Sequence, residues 1–325
     1  MLTDTVLAVA VILAFLLDRL LGEPRRLHPL VGFGNLAMWL ERRCNWWRGS
    51  ESEHPVFGRF VVGGLAWLLL VVPLPLMIAL VWFSGELSLL AEILLAVITL
   101  YFSIGWQSLR EHGLSVVEAF SREGLEAARE QVSRIVSRDT DAMDESAVSR
   151  ATIESMLENG SDAIFAPFFW FILAGPAGTV MYRLANTLDA MWGYRTERYA
   201  AFGFVSAKLD DLLNWAPARL TALSYALLGH TATALRCWKQ QAADCASPNG
   251  GPVMCSGAGG LGIELGGGAY YHGYWQSRPT MGAGRAAVIG DINRSIQLVD
   301  KTVMLWIGSW LTVWIVIWVK GSVFL

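Results

Sequence analysis

Apolar residues run along this chain in long blocks, with polar residues gathered between them. The first block, 5–21, is uninterrupted to Leu17, meets Asp18-Arg19, and reaches spanning length with Leu20 and Leu21. No basic segment precedes it, which argues against a cleaved signal peptide. The second, 58–83, contains Pro73 and Pro75, which should kink a spanning helix without abolishing it. A third, 87–106, holds one acid, Glu92, and a fourth, 303–319, ends at Lys320. Two further blocks fit less simply: 163–180 is broken by Pro167 and Gly175-Pro176, and 220–228 is short.

Basic residues orient the spans. Arg19, Arg25, Arg26, Arg42, Arg43, Arg48 and Arg59 lie between the first two, while the Ser84-Gly85-Glu86 turn has none. Arg110, Arg122, Arg129, Arg134, Arg138 and Arg150 follow the third, and Arg278, Arg285, Arg294 and Lys301 precede the last. Four spans therefore place both termini outside and both large basic loops in the cytoplasm. If 163–180 and 220–228 also spanned, Arg183, Arg195 and Arg198 would face outward, so these blocks read as re-entrant or interfacial helices lining a cavity. The polar stretch 111–136 reads as an amphipathic helical region. A second helix begins at Asp144, a suitable cap, and carries Arg150, Glu154, Glu158 and Asp162 four residues apart on one stripe. The fold expected is all-α: a polytopic helical membrane protein with about four firm spans, broken or re-entrant helices, and helical cytoplasmic loops. It forms one integral membrane domain over 1–325, with the catalytic region over 137–300.

Composition agrees. Of 325 residues 54% are hydrophobic and only 16% charged, with mean hydropathy +0.42, whereas a soluble domain carries about 25% charged residues. A net charge of −3 gives nucleic acid no basic face. Cys44, Cys237, Cys245 and Cys255 make no CxxC pair and read as isolated, reduced thiols. Most of the 15 tryptophans lie at or within apolar blocks and suit interfacial anchoring.

Ionisable groups at membrane depth are costly and mark function by default. The Glu154/Glu158/Asp162 row runs into Phe165-Ala166-Pro167-Phe168-Phe169-Trp170. A solvated face would explain the row alone; a row at an apolar cavity suits Mg²⁺, which takes one or two carboxylates together with substrate phosphates. Arg183, Asn186 and Asp189 share a helix face, and Asp210, Asp211 and Asn214 cluster with Lys208 and Arg219 nearby. These are either structural ion pairs or a phosphate-plus-metal site. His28, held extended before Pro29, reads first as a structural residue. Ser247-Pro248-Asn249-Gly250-Gly251 opens a glycine-rich run in which 257–262 matches G-x-G-x-x-G, but no strand precedes it, so a dinucleotide fold is rejected. Helix-on-helix packing or a phosphate-cradling loop remain as its readings.

Several stretches together resemble one family, the CbiB/CobD membrane proteins of cobalamin biosynthesis, adenosylcobinamide-phosphate synthases. They are Asp18, Leu21-Gly22-Glu23-Pro24 and His28-Pro29; Ser137-Arg138-Asp139-Thr140; Ile153-Glu154, Glu158-Asn159 and Asp162; Ala166-Pro167; Tyr182-Arg183, Asn186-Thr187-Leu188-Asp189-Ala190-Met191 and Gly193-Tyr194; Lys208-Leu209-Asp210-Asp211, Asn214-Trp215 and Pro217-Ala218-Arg219-Leu220; and 247–251. They occur in order and cover nearly the whole chain outside the variable spans. Leu157 departs from the small residue expected before Glu158-Asn159.

The resemblance implies an ATP- and Mg²⁺-dependent ligase of the bacterial inner membrane. It would join (R)-1-aminopropan-2-ol phosphate to a propionate of adenosylcobyric acid, giving adenosylcobinamide phosphate. ATP would convert the carboxylate to an acyl phosphate for the amine to attack, which calls for charge neutralisation and positioning. On this reading Glu154, Glu158, Asp210, Asp211 and His28 are catalytic, and Asp162, Asp189, Asp210 and Asp211 are metal ligands. Arg183, Lys208 and Arg219 contact phosphate, and Asn159, Asn186, Asn214 and Asn249 orient. Phe168, Phe169 and Trp170 would border a corrinoid cavity, unless they are core. The partners are the corrinoid, the amino-alcohol phosphate, ATP and membrane lipid, with room for other late cobamide-assembly membrane enzymes and a homo-oligomer. A non-catalytic AmpE-like sensor would lack the asparagine and Asp-Asp motifs, and a transporter would show weaker polar loops and a repeat.

Overall fold

The computed structural model describes residues 2–24, 28–45, 56–271 and 273–323. Arg25, Arg26 and Arg48 of the basic count lie outside them. The helices in chain order are α1 (Leu2–Leu21), α2 (Pro29–Cys44), α3 (Val56–Val71), α4 (Pro73–Phe83), α5 (Leu89–Tyr101), α6 (Trp106–Glu123), α7 (Leu125–Ser133) and α8 (Glu145–Gly160). A π turn, Ser161–Phe165, leads to α9 (Ala166–Trp192), followed by α10 (Phe204–Leu213), α11 (Trp215–Leu228), α12 (Thr231–Gln241) and α13 (Gly250–Leu261). Five short strands follow, β1 (Ile263–Gly266), β2 (Ala269–Tyr271), β3 (Tyr274–Gln276), β4 (Thr280–Gly282) and β5 (Arg285–Ala286), before α14 (Ile289–Val323). The all-α expectation holds apart from these strands, in order β4-β1-β5 and as a β2-β3 hairpin. They were not anticipated in the glycine-rich run.

Local chemistry accounts for the boundaries. Pro29 opens α2 and Pro73 opens α4, where a missing N–H costs nothing. Leu76 still donates to the Val72 carbonyl, so the prolines kink one helical path. Asp144 caps α8 as expected, accepting from the Ala147 amide at 2.7 Å. The amphipathic region divides at Gly124, whose φ of +86° ends α6. Within α9, Ala174 and Gly175 leave helical geometry just before Pro176, the predicted break.

Among the described residues four helices are long and apolar enough to cross a membrane: Phe57–Phe83, Leu89–Glu123, Glu145–Trp192 and Ile289–Lys320. The first expected span matches α1 in place, but Asp4, Asp18 and Arg19 charge its ends and it is not among these four. The block 163–180, expected as re-entrant or interfacial, lies within the kinked 145–192 path, which takes the fourth place. Only 11% of the apolar window in Ile289–Lys320 is covered by protein, which leaves the rest for lipid.

The chain packs as two compact units, one of residues 1–104, 166–214 and 314–325, the other of 105–165 and 215–313. In the first, α2, α3 and α9 enclose a core that includes Trp67, Leu188, Trp192 and Phe202. Phe168, offered above as a cavity border, stacks edge-on against Phe15 at 5.2 Å, and the Trp170 indole donates to the Leu213 carbonyl. Both are packing residues. In the second unit α13 is buried along its whole length and packs against α8, α11 and α12. The G-x-G-x-x-G run is part of this helix and its left-handed cap, Gly262 (φ +67°), so close helix packing is its role.

Candidate active site

Glu154 is the centre of the second unit's polar core. Its side chain is 2% exposed. One carboxylate oxygen accepts from Arg138 at 2.6 Å and Arg278 at 2.9 Å, and the other accepts from the Gly266 amide at 2.7 Å. Gly266 has φ +76°, and a Cβ there would meet the Pro279 carbonyl at 2.1 Å, so only glycine can present this amide. Burial alone would lower the Arg278 pKa, but the adjoining Glu154 carboxylate reverses this and holds it above the ordinary value. Neither arginine was selected as a site residue from the sequence. Arg138 sat in a recognised motif, whereas Arg278 carries no local signal.

A cavity of about 540 Å³ opens beside this cage, lined among others by Arg138, Asp139, Arg150, Gly268, Tyr270 and Trp275. Tyr270 and Trp275 pair across the β2-β3 hairpin with ring centroids 5.0 Å apart. Asp139 ties the hairpin down, donating its amide to the Tyr270 carbonyl and accepting from the Gly273 amide.

The expected Arg150/Glu154/Glu158/Asp162 row is not a single solvated face. Glu154 is buried, and the π turn 161–165 breaks the period at Asp162. From α8 the Glu158 carboxylate reaches the start of α13, where a Cβ on Gly250 would fall 2.5 Å from its oxygen. Arg219, expected near the Asp210 cluster, meets Asn249 at this helix start: the guanidinium donates to the Asn249 side-chain oxygen at 3.0 Å and stacks over Trp215. Asp162 acts electrostatically on Tyr225, whose hydroxyl donates to the Leu157 carbonyl. Asn159 is turned back into its own helix, donating to the Ser155 carbonyl and hydroxyl. The thiols are free, but Cys245 and Cys255 are not isolated: their sulfurs are 3.9 Å apart.

The first unit holds the other predicted cluster. Tyr182 donates to the Asn214 side-chain oxygen at 2.9 Å; Asn214 donates to Asp210 at 3.0 Å, and Asn186 donates to its other oxygen at 3.2 Å. Arg183 reaches Asn186, and Lys208 pairs with Asp211 at 3.0 Å. Asp189 interacts electrostatically with both Asp210 and Asp211. Burial raises the Asp210 pKa to about 6; the Asn186 and Asn214 amides oppose this, and Asp211 adds to it. His28 caps α2, its Nδ1 accepting from the Leu30 amide, with Nε2 at 3.6 Å from Glu23. Burial lowers its pKa against the pull of Glu23, with Arg183 lowering it further. An ion pair between buried Glu41 and exposed Arg198 in this unit had no signal in the sequence.

Among the described residues no three His, Cys, Asp or Glu side chains converge as a metal cage. That is compatible with Mg²⁺, which uses few protein carboxylates and fills its shell with water and phosphate. Asp189, Asp210 and Asp211 repel one another electrostatically, a charge that a cation would relieve, but they do not converge as a three-carboxylate cage. Asp162, the fourth expected ligand, belongs to the other unit.

The family model described as CobD/Cbib protein matches residues 11–299. This chain belongs to the CobD/Cbib family. It is 52% identical over 294 residues to "Cobalamin biosynthesis protein CobD" of Chromobacterium violaceum, covering 90% of this chain and 92% of that one. The protein of the same name from Stutzerimonas stutzeri is 51% identical, covering 92% and 95%, and that of Halalkalibacterium halodurans 37%, covering 91% and 93%. No solved structure matches. The family places the protein in cobalamin biosynthesis, and its four apolar helices mark it as a multi-pass membrane protein.

Proposed function

We propose that this protein is the ATP- and Mg²⁺-dependent ligase that joins (R)-1-aminopropan-2-ol phosphate to a propionate carboxylate of adenosylcobyric acid. The observation that carries the reading is the 540 Å³ cavity beside the Glu154 cage. Its volume is that of a small-molecule site, and it combines arginines, carboxylates, glycine backbone and aromatic faces, the mixture that a nucleotide triphosphate requires.

Glu154 fixes Arg138 and Arg278 in one geometry, so their charge is in place before a phosphoryl group arrives, without reorganisation during transfer. Arg150 has no ion-pair partner among the described residues and remains available to phosphate. Tyr270 and Trp275 offer ring faces to the base. The corrinoid carboxylate attacks the terminal phosphorus, ADP leaves, and the acyl phosphate is attacked by the amine, releasing phosphate and forming the amide. Glu158, whose carboxylate abuts the start of α13, would take the amine proton. In the first unit Asp189, Asp210 and Asp211 would hold Mg²⁺, which would neutralise the charge of a phosphate bound at that cluster itself. Arg183 and Lys208 add positive charge to that cluster, while Arg219 and Asn249 shape the α13 loop. The large basic loops are cytoplasmic on this reading, where ATP is available.

The test is full-length protein in nanodiscs with adenosylcobyric acid, aminopropanol phosphate and MgATP, followed by mass spectrometry. The expected result is adenosylcobinamide phosphate with matching ADP, lost in Glu154→Gln and Asp210→Asn. Corrinoid binding without turnover in folded protein would identify a carrier or sensor instead.

A further inference from the structure

A second cavity, of about 310 Å³, lies in the second unit between the α11–α12 turn, the end of α13 and α14. No step of the proposed ligation uses it. His230, Arg294, Gln297 and Lys301 supply its polar lining, and Leu228 and Leu298 are among its apolar walls. The balance of charge is positive. Asp291, the nearest acid on α14, is already bound by Arg285 and Arg294, and Asp300 is taken by Arg110 and the Trp106 indole. Arg294 is held in place by its second bond, to the Leu261 carbonyl at 2.7 Å. Lys301 has no ion pair among the described residues. The α12 N-terminus, which has no capping side chain, adds unpaired amides on the same side.

Depth along α14 gives the cavity its setting. The last apolar block begins at Val303. At about 1.5 Å per residue, Lys301 stands about 3 Å from the hydrocarbon edge, Gln297 about 9 Å and Arg294 about 14 Å. A headgroup layer is roughly 5–8 Å thick on each side. The cationic lining thus begins within the headgroup layer and extends out of it. We propose that this cavity binds a phosphate group, presented by an anionic phospholipid or by a soluble phosphate ester, with Lys301 and Arg294 as its charge partners and Gln297 as a donor. Apolar walls beside a cationic floor suit a headgroup whose acyl chains run along α14.

The experiment titrates full-length protein in detergent with dioctanoylphosphatidylglycerol, dioctanoylphosphatidylcholine and inorganic phosphate, read by native mass spectrometry. Phosphatidylglycerol should bind well ahead of phosphatidylcholine, and Lys301→Gln should weaken it about fivefold. Lys239→Gln, an exposed change on α12 away from the cavity, should leave binding unchanged and controls for general charge loss. Phosphate binding that is lost in Lys301→Gln, without preference for the anionic lipid, assigns the site to soluble phosphate esters. Equal binding of the two lipids with no phosphate binding, or equal effects of the two lysine variants, overturns the proposal. Lys301 is exposed, so Lys301→Gln should fold, and its unfolding temperature verifies this.

Discussion

The Glu158 carboxylate occupies the space that a side chain at residue 250 would need: a Cβ on Gly250 would lie 2.5 Å from its oxygen. The obstructing atom is the end of a flexible side chain, so Gly250→Ala should displace the carboxylate more than it damages the fold. Turnover in Gly250→Ala should fall roughly tenfold to a hundredfold through misplacement alone. The unfolding temperature should change little. Kinetics and thermal unfolding on the same preparation separate the two effects.

Leu157 and Gly257 make a second tight contact, with a Cβ on Gly257 falling 2.7 Å from a Leu157 methyl. Both residues are buried, so Gly257→Ala should cost about 1–3 kcal/mol from overpacking. Leu157→Ala added to it should recover part of that loss. Denaturant titration of the two single variants and the double variant should show coupling of at least about 0.5 kcal/mol.

Removing Glu154 strands two guanidiniums. Glu154→Ala should destabilise the protein by about 3–5 kcal/mol, the cost of leaving a buried charge without its partner. Glu154→Gln, which keeps an acceptor for the Gly266 amide, should be milder in stability while still abolishing turnover. Unfolding in detergent distinguishes the two variants.

Asp210 makes stability depend on pH. Its folded pKa of about 6 lies above that of an aspartate in the unfolded chain, so the folded state binds the proton more tightly. That stabilisation is complete below about pH 4, the ordinary aspartate value, and is lost as pH rises through about 6. A divalent cation favours the ionised form and should reduce the loss. Wild-type protein should therefore lose stability from pH 4 to 6.5, less so with MgCl₂, and Asp210→Asn should flatten this component. Equal slopes in the two proteins would assign the titration to another group.

Much of this was legible because the signals were local. The Asp144 cap, the proline kinks and the Gly175-Pro176 break each depend on residues close in sequence, and the 182–214 network stood out as two polar clusters within apolar sequence although its bonds join residues 24 and 32 positions apart. The Glu154 cage was not legible, because its partners lie 16 and 124 positions away and no periodicity links them. The acidic row failed at Asp162 because one π turn suffices to end a four-residue repeat. The glycine motif was ambiguous for a different reason: phosphate loops and tight helix contacts both require a missing side chain, and only the buried neighbours of Gly257 and Gly259 decide between them.

The Glu154 cage also constrains how this protein can diverge. One carboxylate is shared by two guanidiniums and one amide, so exchanging Glu154 leaves all three unmatched, whereas exchanging one arginine does not. A lineage that lost Arg138 alone would keep a neutral pair with Arg278, whereas one that lost Glu154 would have to replace both arginines in the same step. A relative altered at 154 should therefore be altered at 138 and 278 as well, whereas one altered at 138 alone can keep the rest.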